Sequence, residues 1–143
     1  CVTYLDEMIG RVLTALDQSP HADNTIVVLW ADHGFQVGEK RSWRKFALWE
    51  ESARVPLIIA DPRRKASAGQ SCSKPVGLID LYPTLSELTG HTPPAGMDGT
   101  SIAPLLEEPA ARDPKWSEPE LTINGRGNYS VRDERWRYTR YFD

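Results

Sequence analysis

The chain is poor in the features that mark several large classes of protein. Only two of its 143 residues are cysteines, too few for a disulfide framework, and the sequence leaves their pairing open. The formal net charge is −3 and the pI is near 5.6, which argues against nucleic-acid binding because such domains are usually basic. No apolar run approaches the roughly 20 residues of a membrane span. A hydrophobic fraction of 40% and a charged fraction of 26% are ordinary for a globular domain.

Hydrophobic periodicity predicts a mixture of helices and strands. Residues 4–17 carry apolar side chains at helical spacing, and residues 26–30 are a run typical of a fully buried strand. A second β-rich run covers residues 55–59. Residues 76–79 predict a short strand, and Asp80 then caps a helix to about residue 88. Three antiparallel strands are predicted at the end of the chain, over residues 121–124, 129–133 and 136–141.

A change of composition suggests a boundary between two parts of the chain. Residues 107–120 hold three prolines and five acidic residues. We therefore expect residues 1–108 to form an α/β core and residues 109–143 to begin a small antiparallel subdomain.

The most informative residues follow the first predicted strand. Asp32, His33 and Gly34 lie at its carboxyl end, where open α/β sheets hold ligands. An aspartate carboxylate suits a hard cation such as Ca²⁺ or Mg²⁺. Lys45 lies twelve residues after His33 in a loop rich in Lys, Arg and Trp, and its compact ammonium suits an anionic oxygen. These parts could hold a divalent cation beside an anionic ester. Arg54, just before the second β-rich run, is expected to be a structural ion-pair residue.

At these residues the chain resembles the type I sulfatases of the alkaline phosphatase superfamily, and the matches run from about Tyr4 to the last residue. The segment ADHGFQVGEKRSWRKFALWEESARVPLII is similar to their second metal-site region, nearest to the iduronate-2-sulfatase-like branch, with choline-sulfatase-like enzymes close behind. Three more segments match in the same order: VGLIDLYPTLSELTG, GMDGTSIAPLLEEP and YSVRDERWRYTRYFD. The resemblance implies a partial alkaline-phosphatase-like sandwich, with a mostly parallel sheet and flanking helices, followed by the antiparallel subdomain.

The chain departs from the family pattern at the nucleophile. Type I sulfatases oxidise the first residue of a C/S-x-P/A-x-R motif to formylglycine, and neither Cys1 nor Cys72 begins such a motif. The family's paired Asp-Asp metal ligands are also missing. We therefore expect this to be the C-terminal part of a sulfatase, with formylglycine outside the chain. Its partner would be the N-terminal half of the same protein, and the chain alone should be inactive.

The resemblance also assigns roles to individual residues. Asp32 would bind the metal, Ca²⁺ or alternatively Mg²⁺. His33 would be a metal-site residue that either ligates the ion or donates a hydrogen bond to the sulfate or the nucleophile. Lys45 would bind the sulfate and stabilise charge on the leaving group. Arg126 is either part of a simple β-turn or a substrate contact, for example to a uronate carboxylate.

Other functions remain open at this level. The substrate implied by the resemblance is a sulfated small molecule or glycan, but the same layout serves phosphodiesterases and phosphonate hydrolases of the superfamily. A non-catalytic remnant that binds a partner or a sulfated glycan is a further alternative. The sequence does not fix the compartment, and the resemblance implies a periplasmic, secreted or lysosomal-type location.

Overall fold

The computed structural model describes residues 1–109 and 119–142. The helices and strands are α1 (Val2–Asp17), β1 (Val27–Trp30), α2 (Glu50–Ala53), β2 (Leu57–Ala60), α3 (Leu81–Leu88), α4 (Ala103–Glu107), β3 (Glu120–Ile123), β4 (Tyr129–Arg132) and β5 (Arg137–Arg140). The α/β class, the first helix and the three C-terminal strands are confirmed. In these ranges no helix has both the length and the apolarity needed to cross a membrane.

The first sheet is a pair of antiparallel strands. Val27 of β1 lies opposite Ala60 of β2, and Trp30 lies opposite Leu57. The parallel pairing expected of this sheet is not formed among the described residues. The connection from β1 to β2 returns to the end of the sheet that it left, whereas a parallel pair needs a crossover to the opposite end.

The apolar core lies on β2 rather than on β1. Ile102, just before α4, and Leu105, within α4, are buried. Leu57 and Ile59 of β2 pack against them. The prediction that the first strand is fully buried is wrong for this structure, because the side chains of β1 are at most partly buried and Trp30 is 50% exposed. A two-stranded sheet gives β1 only one hydrogen-bonded neighbour, and the packed helix faces β2.

The segment before α3 is a turn rather than the predicted strand over residues 76–79. A 3₁₀ turn runs over Leu78–Asp80 and leads directly into α3. The buried Asp80 carboxylate accepts hydrogen bonds from the backbone N–H groups of Gly77 at 2.9 Å and Thr100 at 2.8 Å. These two bonds curl the chain around Asp80 and prevent extension. The predicted helix start at Asp80 and its end at Leu88 are confirmed.

The second sheet has the strand order β3-β4-β5 and is antiparallel throughout. Ion pairs tie this C-terminal part to earlier residues: Glu50 with Arg132 and Arg137, and Lys74 with Glu134. The predicted boundary at residues 108/109 stays a prediction, because residues 110–118 of the connecting segment lie outside the described residues.

A buried aspartate fastens the end of β2 to two helices. The side chain of Asp61 is only 1% exposed and accepts hydrogen bonds from Arg63 Nε at 2.8 Å and Arg64 Nη1 at 2.5 Å. Arg63 also donates to the carbonyl of Leu88 at the end of α3, and Arg64 donates to Glu107 in α4. The hydrogen bonds from Arg63 hold the pKa of Asp61 far below its usual value, against the opposing effect of burial.

Candidate active site

Three of the four residues singled out in the sequence meet in one place. Lys45 Nζ lies 2.8 Å from His33 Nε2, and Asp32 Oδ2 lies 3.6 Å from the same nitrogen. The Asp32 side chain is 84% exposed and that of His33 is 35% exposed, so the group opens to solvent. The cluster lies just past the carboxyl end of β1, as the sequence predicted.

The hydrogen bonds fix which imidazole nitrogen carries the proton. His33 Nδ1 lies 2.7 Å from the carbonyl oxygen of Gly34, which can only accept, so Nδ1 is the donor. Lys45 has only donors, so Nε2 accepts from it in the neutral imidazole. Of the three N–H groups of the Lys45 ammonium, one donates to His33 and two remain available to an anion.

The backbone beside His33 lies so close to α2 that residue 34 has to be glycine. The N–H of Gly34 donates to the carbonyl of Ser52 in α2 at 2.9 Å. A Cβ at residue 34 would overlap the carbonyl oxygen of Glu51 and press on that of Arg54. No other residue fits there without displacing α2, and α2 therefore packs directly on the backbone beside His33.

A hairpin-like loop returns the chain to His33. Gln36 N–H donates to Arg44 O at 3.1 Å, and Gly38 N–H donates to Ser42 O at 3.0 Å. At the tip, Lys40 and Arg41 have φ of 51° and 59°, the left-handed pair typical of a type I′ turn. This turn is why Lys45 lies beside His33 despite their separation along the chain.

Glu39 belongs to the turn and not to the charged cluster. Its carboxylate accepts a hydrogen bond from the backbone N–H of Val37 at 2.7 Å. Among the described residues it makes no hydrogen bond with Lys45, so it stabilises the loop locally.

Exposed aromatic residues neighbour the cluster along the chain, and the centre of the Phe46 ring lies 5.8 Å from Lys45 Nζ. Trp43, Phe46 and Phe35 are 71%, 68% and 53% exposed. Trp49 is partly buried, and the ammonium of Lys40 lies 4.8 Å from the centre of its ring. The Lys45 ammonium therefore has an exposed aromatic ring, that of Phe46, beside it.

Arg126 is not brought to the cluster. It is exposed in a loop closed by a hydrogen bond from Asn124 N–H to Asn128 O at 3.1 Å. Gly125 and Gly127 have φ of 74° and 82°, as the turn interpretation requires. Within the described ranges, no hydrogen bond or ion pair links Arg126 to Asp32, His33 or Lys45.

The residues present fit part of a cation site. Among residues 1–109 and 119–142, no group of three or more His, Cys, Asp or Glu side chains is arranged to hold a metal ion. Asp32 offers one exposed carboxylate, the donor type that Ca²⁺ and Mg²⁺ prefer. Its chemistry therefore suits such an ion, and further oxygen ligands must come from elsewhere.

Sequence reasoning missed the residue that anchors α2. Glu50 Oε2 accepts from Arg137 Nε at 2.8 Å and lies 3.4 Å from Arg132 Nε, while Arg54 lies 3.9 Å from Oε1. Burial opposes ionisation, but Arg137 first, then Arg132 and Arg54, hold the pKa of Glu50 below its usual value. Arg54 is thus the ion-pair residue that was expected. The only local signal for Glu50 is its spacing of four residues from Arg54.

Comparison with known proteins identifies the class of protein as the alkaline phosphatase superfamily. The family model described as sulfatase matches residues 1–91, and the chain belongs to the sulfatase family. A sulfatase from Formosa agariphila is 37% identical over 143 residues, which is the whole of this chain and 27% of that protein.

Solved structures support the same fold. One protein, solved in complex with its substrate D-glucosamine-2-N,6-O-disulfate, matches with a TM-score of 0.72 and 28% identity over 93% of this chain and 28% of that one. The phosphonate monoester hydrolase of Silicibacter pomeroyi matches with a TM-score of 0.80 and 28% identity over 94% of this chain and 30% of that one. The chain thus spans less than a third of the length of these relatives.

Proposed function

We propose that this chain carries part of the active site of a sulfuric ester hydrolase that cleaves sulfate monoesters of carbohydrates. The observation that carries the proposal is the contact of 2.8 Å between Lys45 Nζ and His33 Nε2, beside Asp32. The nucleophile would be a formylglycine in a part of the fold outside residues 1–143. We place the protein in the iduronate-2-sulfatase-like branch, on the sequence pattern of residues 31–59.

Lys45 would bind the sulfate. Its two remaining N–H groups can donate to a non-bridging oxygen and to the bridging oxygen of the ester. The ammonium then stabilises the negative charge that develops on the leaving group. Because Lys45 is fixed by His33 before substrate arrives, less side-chain entropy is lost when the sulfate binds.

His33 would orient Lys45, and Asp32 would take the metal. The lone pair of His33 Nε2 already accepts from Lys45, so direct ligation through that atom would require the lysine to move away. Asp32 has an exposed carboxylate suited to Ca²⁺ or Mg²⁺. A bound ion would neutralise charge on the sulfate oxygens as a Lewis acid.

The carbohydrate part of the proposal has two supports. A matching structure holds a disulfated glucosamine as its substrate. The exposed ring of Phe46, whose centre lies 5.8 Å from Lys45 Nζ, could also lie against the apolar face of a sugar. Arg126 would be a more distant contact to an anionic substituent such as a uronate carboxylate.

Hydrolysis of a phosphonate or phosphate ester is the second candidate. The likeness to the phosphonate monoester hydrolase favours it specifically, since Lys45, His33 and Asp32 could hold a phosphonate equally well. The residues that would separate the two reactions surround the nucleophile. The sulfatase family model and the Formosa agariphila sulfatase support the first candidate.

The wider setting follows from the same proposal. Residues 1–108 would complete the catalytic core together with an N-terminal half of the same protein, and residues 109–143 would begin the C-terminal subdomain. Alone, residues 1–143 would be inactive. The compartment would be periplasmic, secreted or lysosomal in type.

A chimera tests the proposal directly. Residues 1–143 would replace the matching segment of the Formosa agariphila sulfatase, and turnover would be measured on an aryl sulfate and an aryl phosphonate. We expect the sulfate to be the better substrate, and we expect Lys45→Ala to lower kcat by roughly 10²–10³-fold. Lys40→Ala is the matched control, because it removes one positive charge from the same loop and its ammonium lies over Trp49 instead.

Two results would refute the assignment. A folded chimera that prefers the phosphonate would move the protein to the second candidate. Equal and small losses in Lys45→Ala and Lys40→Ala would show that the loop supplies only a general positive field.

A further inference from the structure

We propose that Glu50 is a positioning residue: held by Arg132 and Arg137 of the C-terminal sheet, it fixes α2 and so places both Lys45 and His33. The roles of Lys45 and His33 rest on the proposed function, but the anchor itself is argued from geometry alone.

The single helical turn of α2 touches both halves of the site. On one side, the carbonyl of Ser52 accepts from the N–H of Gly34, the residue next to His33. On the other side, the short stretch from Lys45 leads straight into α2, and Ala47 N–H donates back to Lys45 O at 2.8 Å. A shift of α2 therefore moves Lys45 and His33 relative to each other.

Glu50 supplies the long-range anchor of this turn. Its Oε2 accepts from Arg137 Nε at 2.8 Å and has Arg132 Nε at 3.4 Å, on adjacent strands β5 and β4. The same Arg137 donates through Nη1 to the hydroxyl of the fully buried Ser130 at 2.9 Å and reaches the carbonyl of the fully buried Leu48 at 3.4 Å. One guanidinium thus joins the sheet, the start of α2 and the backbone that follows Lys45.

The chemistry of the contact suits a fixed anchor. Hydrogen bonds between a guanidinium and a carboxylate are short and directional, and their strength grows when water is partly excluded. The side chain of Arg137 is 16% exposed and that of Glu50 is 36% exposed. An α2 of only four residues has little helical stability of its own, so its position depends on such tertiary contacts.

Nuclear magnetic resonance on the 143-residue chain tests the anchor without any substrate. Two readouts report on the site: the hydrogen-exchange rate of the Gly34 amide, and the ¹⁵N shifts of the His33 imidazole, which give its tautomer. We expect Glu50→Gln to speed exchange at Gly34 about tenfold and to mix the His33 tautomers, because the charge-assisted bonds to the arginines are weakened.

Glu134→Gln is the matched control. It also removes one carboxylate and one ion pair of the C-terminal sheet, the pair with Lys74, but it is not connected to α2. We expect the exchange rate of the Gly34 amide to stay within about twofold of the rate in the original chain, and we expect the His33 tautomer to be unchanged. A folded Glu50→Gln chain that matches Glu134→Gln at Gly34 and His33 overturns the proposal.

A second substitution covers the case in which Glu50→Gln does not fold. Arg137→Lys keeps the positive charge but loses the fork that reaches Glu50, Ser130 and Leu48 together. The same two changes are expected, and unchanged readouts in this variant overturn the proposal. Because neither measurement uses a sulfate ester, failure of the proposed function would be seen separately, in the turnover of the chimera.

Discussion

Replacing Asp61 by Asn is expected to be among the most damaging isosteric changes in this chain. The carboxylate is 1% exposed and bonds to both Arg63 and Arg64, which in turn hold α3 and α4. An amide of the same shape turns an NH₂ group toward at least one arginine donor. Breaking a buried pair typically costs about 3–5 kcal/mol. Arg63 is 54% exposed and can turn to water, so we take the lower end, about 3 kcal/mol.

The pH dependence of the free energy of unfolding provides a second, independent test of this prediction. The folded pKa of Asp61 is depressed, so its contribution is present above the ordinary aspartate pKa of about 3.9. That contribution is lost as the pH falls further, through the depressed folded value. Below about pH 4 the original chain should therefore lose stability more steeply than Asp61→Asn.

Urea denaturation measures the effect. With a slope of about 2 kcal/mol per molar, the loss corresponds to a midpoint lower by about 1.5 M at pH 7. Asp98→Asn, at an exposed turn position, is the matched control and should leave the midpoint nearly unchanged. If both substitutions shift the midpoint equally, the Asp61 network does not hold β2 to the helices.

Three further predictions concern single positions. Burial and the nearby Asp80 raise the pKa of Glu120, so the folded state binds its proton more tightly and loses stability as the pH rises through that value. Glu120→Gln should therefore melt at a higher temperature than the original chain at pH 7, with a smaller difference near pH 4. Gly34→Ala should lower the free energy of unfolding by about 3 kcal/mol or more, because its Cβ meets the Glu51 carbonyl. Gly10→Ala, in open space within α1, should raise it by about 0.5–1 kcal/mol; a gain at both glycines in urea titrations would contradict the packing of α2.

Local patterns predicted most of the fold and failed where a single tertiary contact decides the structure. The helix α1 and the strands β3 to β5 follow from periodicity that their own residues carry. The strand expected at residues 76–79 did not form, because the buried Asp80 carboxylate accepts hydrogen bonds from the backbone N–H groups of Gly77 and Thr100. The parallel pairing came from the family resemblance, and the direction of β2 depends on how the connecting loop returns.

The site was predicted in part for the same reason. The position of Asp32 and His33 at a strand end is a local signal, and the resemblance singled out Lys45. The turn that brings Lys45 back has no Asn-Gly or Asp-Gly signature, since Lys40 and Arg41 occupy the left-handed positions. The partner of Glu50 lies 87 residues away, so no spacing rule could have found it.

The antiparallel pairing of β1 and β2 makes the segment between them, residues 31–56, an excursion that starts and ends at the same end of the sheet. It leaves the sheet at Trp30 and re-enters at Leu57, two residues that face each other across the pair. The entropy of closing such an excursion rises only with the logarithm of its length, so lengthening or shortening it hardly disturbs the sheet. Substitutions, insertions and deletions within this excursion can therefore accumulate with little effect on the sheet, provided that Glu50 still meets the arginines of the C-terminal sheet.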